Sequence, residues 1–162
     1  MASRSSTRLT RTTIVQAALD VSRLTAEHPS ETPTGQSLGR ELGVDRSAVW
    51  RHFSDKDDLL LSIADAMLED VADVLADLDG PEDVIAATWD GMLDAFLRHP
   101  AVGAQLGDRS ISGQNALSIV ERLIKAFIDL GFTTDLALLH YRTFIDLTLS
   151  CASTQAQYAL LS

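Results

Sequence analysis

Between Thr34 and Phe53 the chain leaves room for two short helices and only three residues, Gly43, Val44 and Asp45, to join them. Thr34 is a capping residue for the first, and Leu38 and Leu42 give it a buried side. Gly43 ends it, as a glycine just past a helix does. Asp45 caps the second, which runs from Arg46 to about His52. Two helices joined this tightly form a helix-turn-helix, and such a unit needs neighbouring helices to pack on.

The remaining long segments also read with helical period. Thr10 caps a first helix reaching about Glu27, with Ile14, Ala17, Ala18 and Val21 on one face. Pro29 and Pro33 keep the next stretch a loop. Ser54 caps a long helix, with Asp57 three residues on as in a capping box. That helix reaches about Leu78 through the stripe Leu60, Ile63, Met67, Val71, Val74 and Leu78. Asp79, Gly80 and Pro81 stop it and begin another, which runs to about His99. A break at His99-Pro100, a short piece ending near Gly107, a helix from about Gln114 to Leu130 and a last helix capped by Thr133 or Thr134 complete the expected order. No segment alternates as a strand does, so the expected class is all-α.

Charge sharpens this. The net formal charge of -10 and a pI near 4.6 argue against nucleic acid when taken whole. Up to Lys56, however, eight basic and six acidic residues give +2, and the rest, with five and seventeen, gives -12. A basic head on an acidic body suggests two tasks on one chain. The single cysteine, Cys151, cannot form an intrachain disulfide and reads as a small buried hydrophobe. No uncharged apolar run is long enough for a membrane helix, and no signal core follows the Arg- and Ser-rich start, so the expectation is a cytoplasmic chain. The histidines lack ligand spacing, and no phosphate loop, nucleophile elbow or paired-cysteine motif is present. No enzyme, metal or cofactor is expected.

Helical geometry then assigns the second short helix. At 100° per residue Val49 and Phe53 share the core face, and Ser47 and Arg51 lie opposite, one turn apart. A helix-turn-helix puts its second helix in the DNA major groove. Arg46, Ser47, Ala48 and Arg51 are therefore the expected base-reading residues: arginine offers guanine a bidentate pair, and Ala48 fits a thymine methyl. Trp50 and His52 flank that face toward the groove walls. Lys56 sits in a helix's first turn, where the macrodipole disfavours a cation, and a phosphate neighbour would account for it. Thr34 and Gln36 open a helix whose N-terminus suits phosphate. Arg4, Arg8 and Arg11 form a basic arm able to follow the backbone or enter the minor groove. Taken singly, Trp50 and His52 would be packing residues and the arginines solvated ones.

The run Gly43-Val44-Asp45-Arg46-Ser47-Ala48-Val49-Trp50-Arg51-His52-Phe53, followed by Lys56, Leu59 and Leu60, resembles the tetracycline-repressor (TetR) family of bacterial transcriptional regulators. Ile14-Val15 and Ala17-Ala18-Leu19 match that family's opening helix. The resemblance is specific from about Leu9 to Leu68. It places phosphate contacts on Thr34, Trp50, His52 and Lys56, and base-reading positions on Arg46, Ser47 and Arg51. Trp50 stands where the family usually has Tyr, and Ala48 where a hydroxyl residue is common. Gly113-Gln114-Asn115-Ala116-Leu117 and Asp129-Leu130-Gly131-Phe132 resemble the branch near the tetracycline repressors themselves.

The resemblance implies residues 1–54 as an arm and three-helix DNA-binding domain. A long helix would join them to residues 55–162, a helical effector-binding and dimerisation domain. Met67, Trp89, Met92, Phe96, Phe127, His140, Tyr141 and Phe144 are candidates for a pocket holding a small-molecule effector, Asp90 is a further polar handle, and plain core is the competing reading. Asp65, Glu69, Asp73 and Asp77 recur every fourth residue and read as a solvated helix face. The last sixteen residues carry no charge, so a helix there is expected against a second copy of the chain. Family members pair through their last two long helices, and this chain stops within or just after the first, so the expectation is either a chain cut short or a simpler interface. The expected function is a homodimeric, ligand-responsive regulator, usually a repressor, on a near-palindromic operator. The alternative is a helical interaction or adaptor module that does not bind DNA.

Overall fold

The computed structural model describes residues 9–161. Among them are nine helices and no strand: α1 (Arg11–Ser22), α2 (Gly35–Leu42), α3 (Arg46–Val49), α4 (Lys56–Met67), α5 (Glu69–Ala76), α6 (Pro81–Arg98), α7 (Pro100–Gly103), α8 (Gln114–Asp129) and α9 (Thr134–Ala159). Their starts follow local chemistry. Thr10 and Thr34 each accept the backbone N–H three residues on, and Thr13 and Ser37 return the bond to the cap's own N–H. Asp45 accepts from Ser47 N–H at 2.7 Å. Gly43 ends α2 at φ 66, a left-handed conformation that a side chain disfavours.

Several boundaries differ from the sequence reading. The first helix stops at Ser22, because beyond it the backbone turns outward and Leu24 N–H donates to Arg98 C=O at 2.8 Å. The cap of α4 is Asp55, whose carboxylate accepts Asp58 N–H at 2.8 Å; Ser54 instead donates its own N–H to Asp58. The expected long helix to Leu78 is interrupted at Leu68, whose N–H bonds to Asp65 C=O in a tightened turn. Asn115 Nδ2 donates to that same carbonyl at 3.0 Å, and the Asp65 carboxylate accepts Ala116 N–H at 2.8 Å at the start of α8. The break rotates the buried face. Leu68, Val71 and Leu75 point inward, while Val74 of the expected stripe is 54% exposed. Asp65 accordingly leaves the solvated row and ties α4 to α8.

One contiguous apolar cluster runs from Ile14, Leu38 and Val49 through Ile63 and Met67 to Phe96, Leu123 and Ala152. At its middle α6 touches α5, α7, α8 and α9. The end of α1 is fastened to the α6–α7 corner. Ser22 Oγ lies 3.0 Å from His99 Nδ1, and Ser30 Oγ accepts Ala101 N–H at 3.1 Å.

His99 is buried there, and burial, with Arg23 and Arg98 nearby, lowers its pKa from 6.5 to about 4. The unfolded chain therefore binds a proton near pH 6.5 that the folded chain refuses until about pH 4. Stability should fall as the pH drops through that window. Melting temperatures measured between pH 7 and 4 should decline more steeply for the parent than for His99→Gln, which keeps a polar partner for Ser22. Parallel curves would show that His99 does not carry the effect.

Candidate nucleic-acid interface

The second short helix packs on the core by its buried side. Val49 is fully buried and Phe53 nearly so, while Arg46, Ser47 and Arg51 are exposed. The face assignment by helical period thus agrees with burial. The α-helix itself is shorter than expected and ends at Val49. Arg51 and His52 continue it in a tightened turn through N–H bonds to Ala48 and Val49 carbonyls, at 3.4 and 3.1 Å. Ala48 is half-buried at the edge of the exposed face.

What sets the angle between α2 and α3 is a backbone contact. At Gly39, buried in α2, an added Cβ would lie 2.8 Å from Val44 C=O and 3.3 Å from Arg46 N. Val44 N–H donates to Gly39 C=O at 2.9 Å. The two short helices approach as closely as backbones allow, and only glycine leaves the space.

Beneath α3 lies a bracing network. Arg11, the first residue of α1, ion-pairs with Asp58 and donates to His52 C=O at 2.9 Å and Ser62 Oγ at 2.6 Å. Its guanidinium also stands 4.4 Å from the centre of the Phe53 ring. The Arg11 hydrogen bond above all, with Ser54 N–H, holds the Asp58 carboxyl at about 2, well below the ordinary carboxylate value. Arg11 is thus a helical residue engaged inside the chain rather than part of a free arm. Arg4 and Arg8, the other expected arm residues, lie outside the described residues.

Three of the five expected phosphate residues converge, and Gln36 and His52 lie outside their depression. Thr34, Trp50 and Lys56 line one depression of about 330 Å³, together with Gly35, Asp57 and Arg109. The indole of Trp50 lies over Gly35, where a Cβ would come within 2.5 Å of Nε1. Thr34 is exposed at the α2 cap, and Gln36 is exposed one residue further into the helix than Gly35. His52 is half-buried, its carbonyl taken by Arg11. Lys56 is exposed and opens α4 beside Asp55, Asp57 and Asp58. One anion shares the α3 face: hydrogen bonds from Ser47 hold the Asp45 carboxyl below its usual range, with Arg46 and Arg51 adding to the effect.

The body holds a second cavity, of about 340 Å³, between α6, α8, α9 and the α7–α8 loop. Of the expected pocket residues, Met92 and Tyr141 line it. Met67 and Phe96 are core, at 5% and 0% exposure. Trp89, Phe127, His140 and Phe144 gather elsewhere, with Phe132, in an aromatic cluster whose ring centres are 4.5 to 6.4 Å apart. Asp90 is exposed. Sequence reasoning missed Arg109, which lines both cavities and donates to Asp57 at 2.9 Å. Its signal was only a basic residue in a polar loop.

Solved structures resemble the chain along nearly its whole length. A possible TetR family transcriptional regulator from Streptomyces coelicolor A3(2) aligns with a TM-score of 0.75 and 26% identity, over 90% of this chain and 71% of that one. The TetR regulator SCO7222 from Streptomyces coelicolor aligns at 0.71 and 25%, over 93% and 72%. BioQ, solved with its natural double-stranded DNA operator, aligns at 0.72 and 25%, over 93% and 88%. No family model matches the chain, and no curated protein does.

Proposed function

The chain has the all-helical fold of TetR family transcriptional regulators, and we propose that it is itself a sequence-specific DNA-binding regulator that works as a ligand-responsive homodimer. The observation that supports the DNA reading best is the shared depression of Thr34, Trp50 and Lys56 beside an α3 whose exposed side carries Arg46, Ser47 and Arg51. In this reading the three lining residues, with Gln36 and His52, hold phosphates, and the α3 side chains and Ala48 meet base edges. Residues 1–54 form the reading head and 55–162 the effector and dimer body. The arm residues Arg4 and Arg8 add backbone contacts.

Two further features support the body's part. The cavity between α6, α8 and α9 is within the usual size for a small ligand. On α8 and α9, Leu117, Leu139, Leu147 and Tyr158 are 51% to 69% exposed, an apolar surface that a second copy would cover. The two heads would then stand about 34–36 Å apart to enter successive major grooves of a near-palindrome. Among the described residues no helix is long and apolar enough to cross a membrane, in keeping with a cytoplasmic regulator.

The test compares two alanine variants on a duplex that the parent protein selects from a random pool. Arg51→Ala should cost about 1–3 kcal/mol on the selected duplex and relax preference at one base pair. Lys56→Ala should weaken selected and random duplexes alike and lower the salt slope by about one unit. Identical behaviour of the two variants would overturn the division into reading and phosphate residues. Failure of the parent to select any sequence would overturn the function.

A further inference from the structure

Three carboxylates crowd the first turn of α4 and its cap, directly around Lys56. Each has a partner. Asp55 accepts Asp58 N–H, and Asp58 is held by Arg11. Asp57 is held by Arg109, which does not belong to the head at all: it sits in the α7–α8 loop, in the wall of the body cavity. The Asp57 side chain is 66% exposed and that of Arg109 37% exposed. An ion pair that open to water is weak and readily exchanged.

The cavity offers Arg109 a better partner. Its wall is aliphatic through Met92, Ile119 and Leu149, and a carboxylate entering it would meet the guanidinium fork with its tail out of water. The other cation of the wall, Arg142, already pairs with Asp146 inside the same cavity, at 2.9 Å. Asp108, next to Arg109, also lines the cavity, at a position exposed to solvent. Arg109 is therefore the cation whose present partner lies outside the cavity.

We propose that the body cavity takes an apolar monocarboxylate whose carboxylate captures Arg109 from Asp57. This deepens the regulator reading and rests on it for its consequence. Once Arg109 turns to the ligand, Asp57 keeps a negative charge beside Lys56 with no cation to balance it. That charge competes for Lys56 and repels the phosphate Lys56 would hold. DNA affinity drops because a neutralised acid becomes a free one, and the ligand binds more tightly to DNA-free protein by the same factor.

Octanoate, decanoate and naphthoate serve as probes, each beside its primary amide, with decylamine as the cationic control. Calorimetry on the full chain should show binding of the acids and not of the amides or the amine. On the duplex selected by the parent, decanoate should weaken DNA binding about tenfold, within the usual range of allosteric coupling. Arg109→Gln should lose acid binding and bind DNA more weakly than the parent even without ligand. Asp57→Asn should still bind decanoate while its DNA affinity no longer responds, and the double variant should regain parental DNA affinity. Helical content by circular dichroism confirms that each variant is folded. Amides binding as well as acids, binding only of decylamine, or no acid binding at all would overturn the ligand class. Full release of DNA from Asp57→Asn by decanoate would overturn the relay. A parent that selects no duplex sinks the regulator reading instead, and the acid-against-amide comparison still decides the cavity's chemistry.

Discussion

Gly39→Ala is expected to abolish sequence-specific DNA binding while the rest of the chain stays folded. The new methyl would lie 2.8 Å from Val44 C=O and 3.3 Å from Arg46 N, both backbone atoms that no rotamer change can move away. Overpacking of a buried site costs about 1–3 kcal/mol. Here the strain falls on α3, a helix of four residues anchored by Val49 and Phe53. Pushed outward, it would carry Arg46, Ser47 and Arg51 together off the register with the bases that the proposed function gives them. Specific affinity should then sink toward the nonspecific level, a drop of about a thousandfold or more. Mobility shift on the selected and a random duplex measures it. Glu41→Ala, at an exposed position of the same helix, is the control and should behave as the parent does. Parental affinity in Gly39→Ala would mean that the close approach of α2 and α3 does not set the reading geometry.

Gly39 also marks the limit of what the sequence made legible. The helix class, the caps Thr10, Thr34 and Asp45 and the stop at Gly43 depend on residues within a turn of one another, and each was readable from that turn. The burial of Val49 and Phe53 against exposed Ser47 and Arg51 follows from one angle per residue. Other features depend on distant partners. The break at Leu68 needs Asn115 and Ala116 from α8 on Asp65, and nothing near Leu68 announces it. Arg11 reads as one of three arginines in an arm until Asp58 and the His52 carbonyl are found above it. Ser54 and Asp55 are both good caps, and only the geometry chooses Asp55. Periodicity shows which side of a helix faces inward, not which gap between helices stays empty. So Phe96 and Phe127, inward as expected, fill the core and the aromatic cluster, while Met92 and Tyr141 reach the cavity.

Phe96→Ala is expected to have the largest effect on stability of any single truncation proposed. The ring is wholly buried in α6 and lies against α7, where a Cβ added at Gly103 would come within 3.0 Å of it. Removing a buried phenyl costs about 3–5 kcal/mol through lost transfer energy and the cavity left behind. For a chain of this length that lowers the melting temperature by about 10 °C. The informative part is the shape of the transition. The proposed boundary near residue 54 makes a head and a body, yet their apolar residues form one cluster, with α4 serving both. Ser22 with His99, Leu24 with Arg98 and Ser30 with Ala101 bolt the end of α1 to the α6–α7 corner, one turn from Phe96. Damage in α6 should therefore reach the head. In Phe96→Ala, Trp50 fluorescence in the head, isolated with Trp89→Phe, should fall at the same lowered temperature as the helical signal. A Trp50 transition that stays at the parental temperature would show that the head melts by itself. A ligand in the body would then be felt at the DNA through individual contacts such as Arg109–Asp57 and the α4–α8 tie rather than through one cooperative unit.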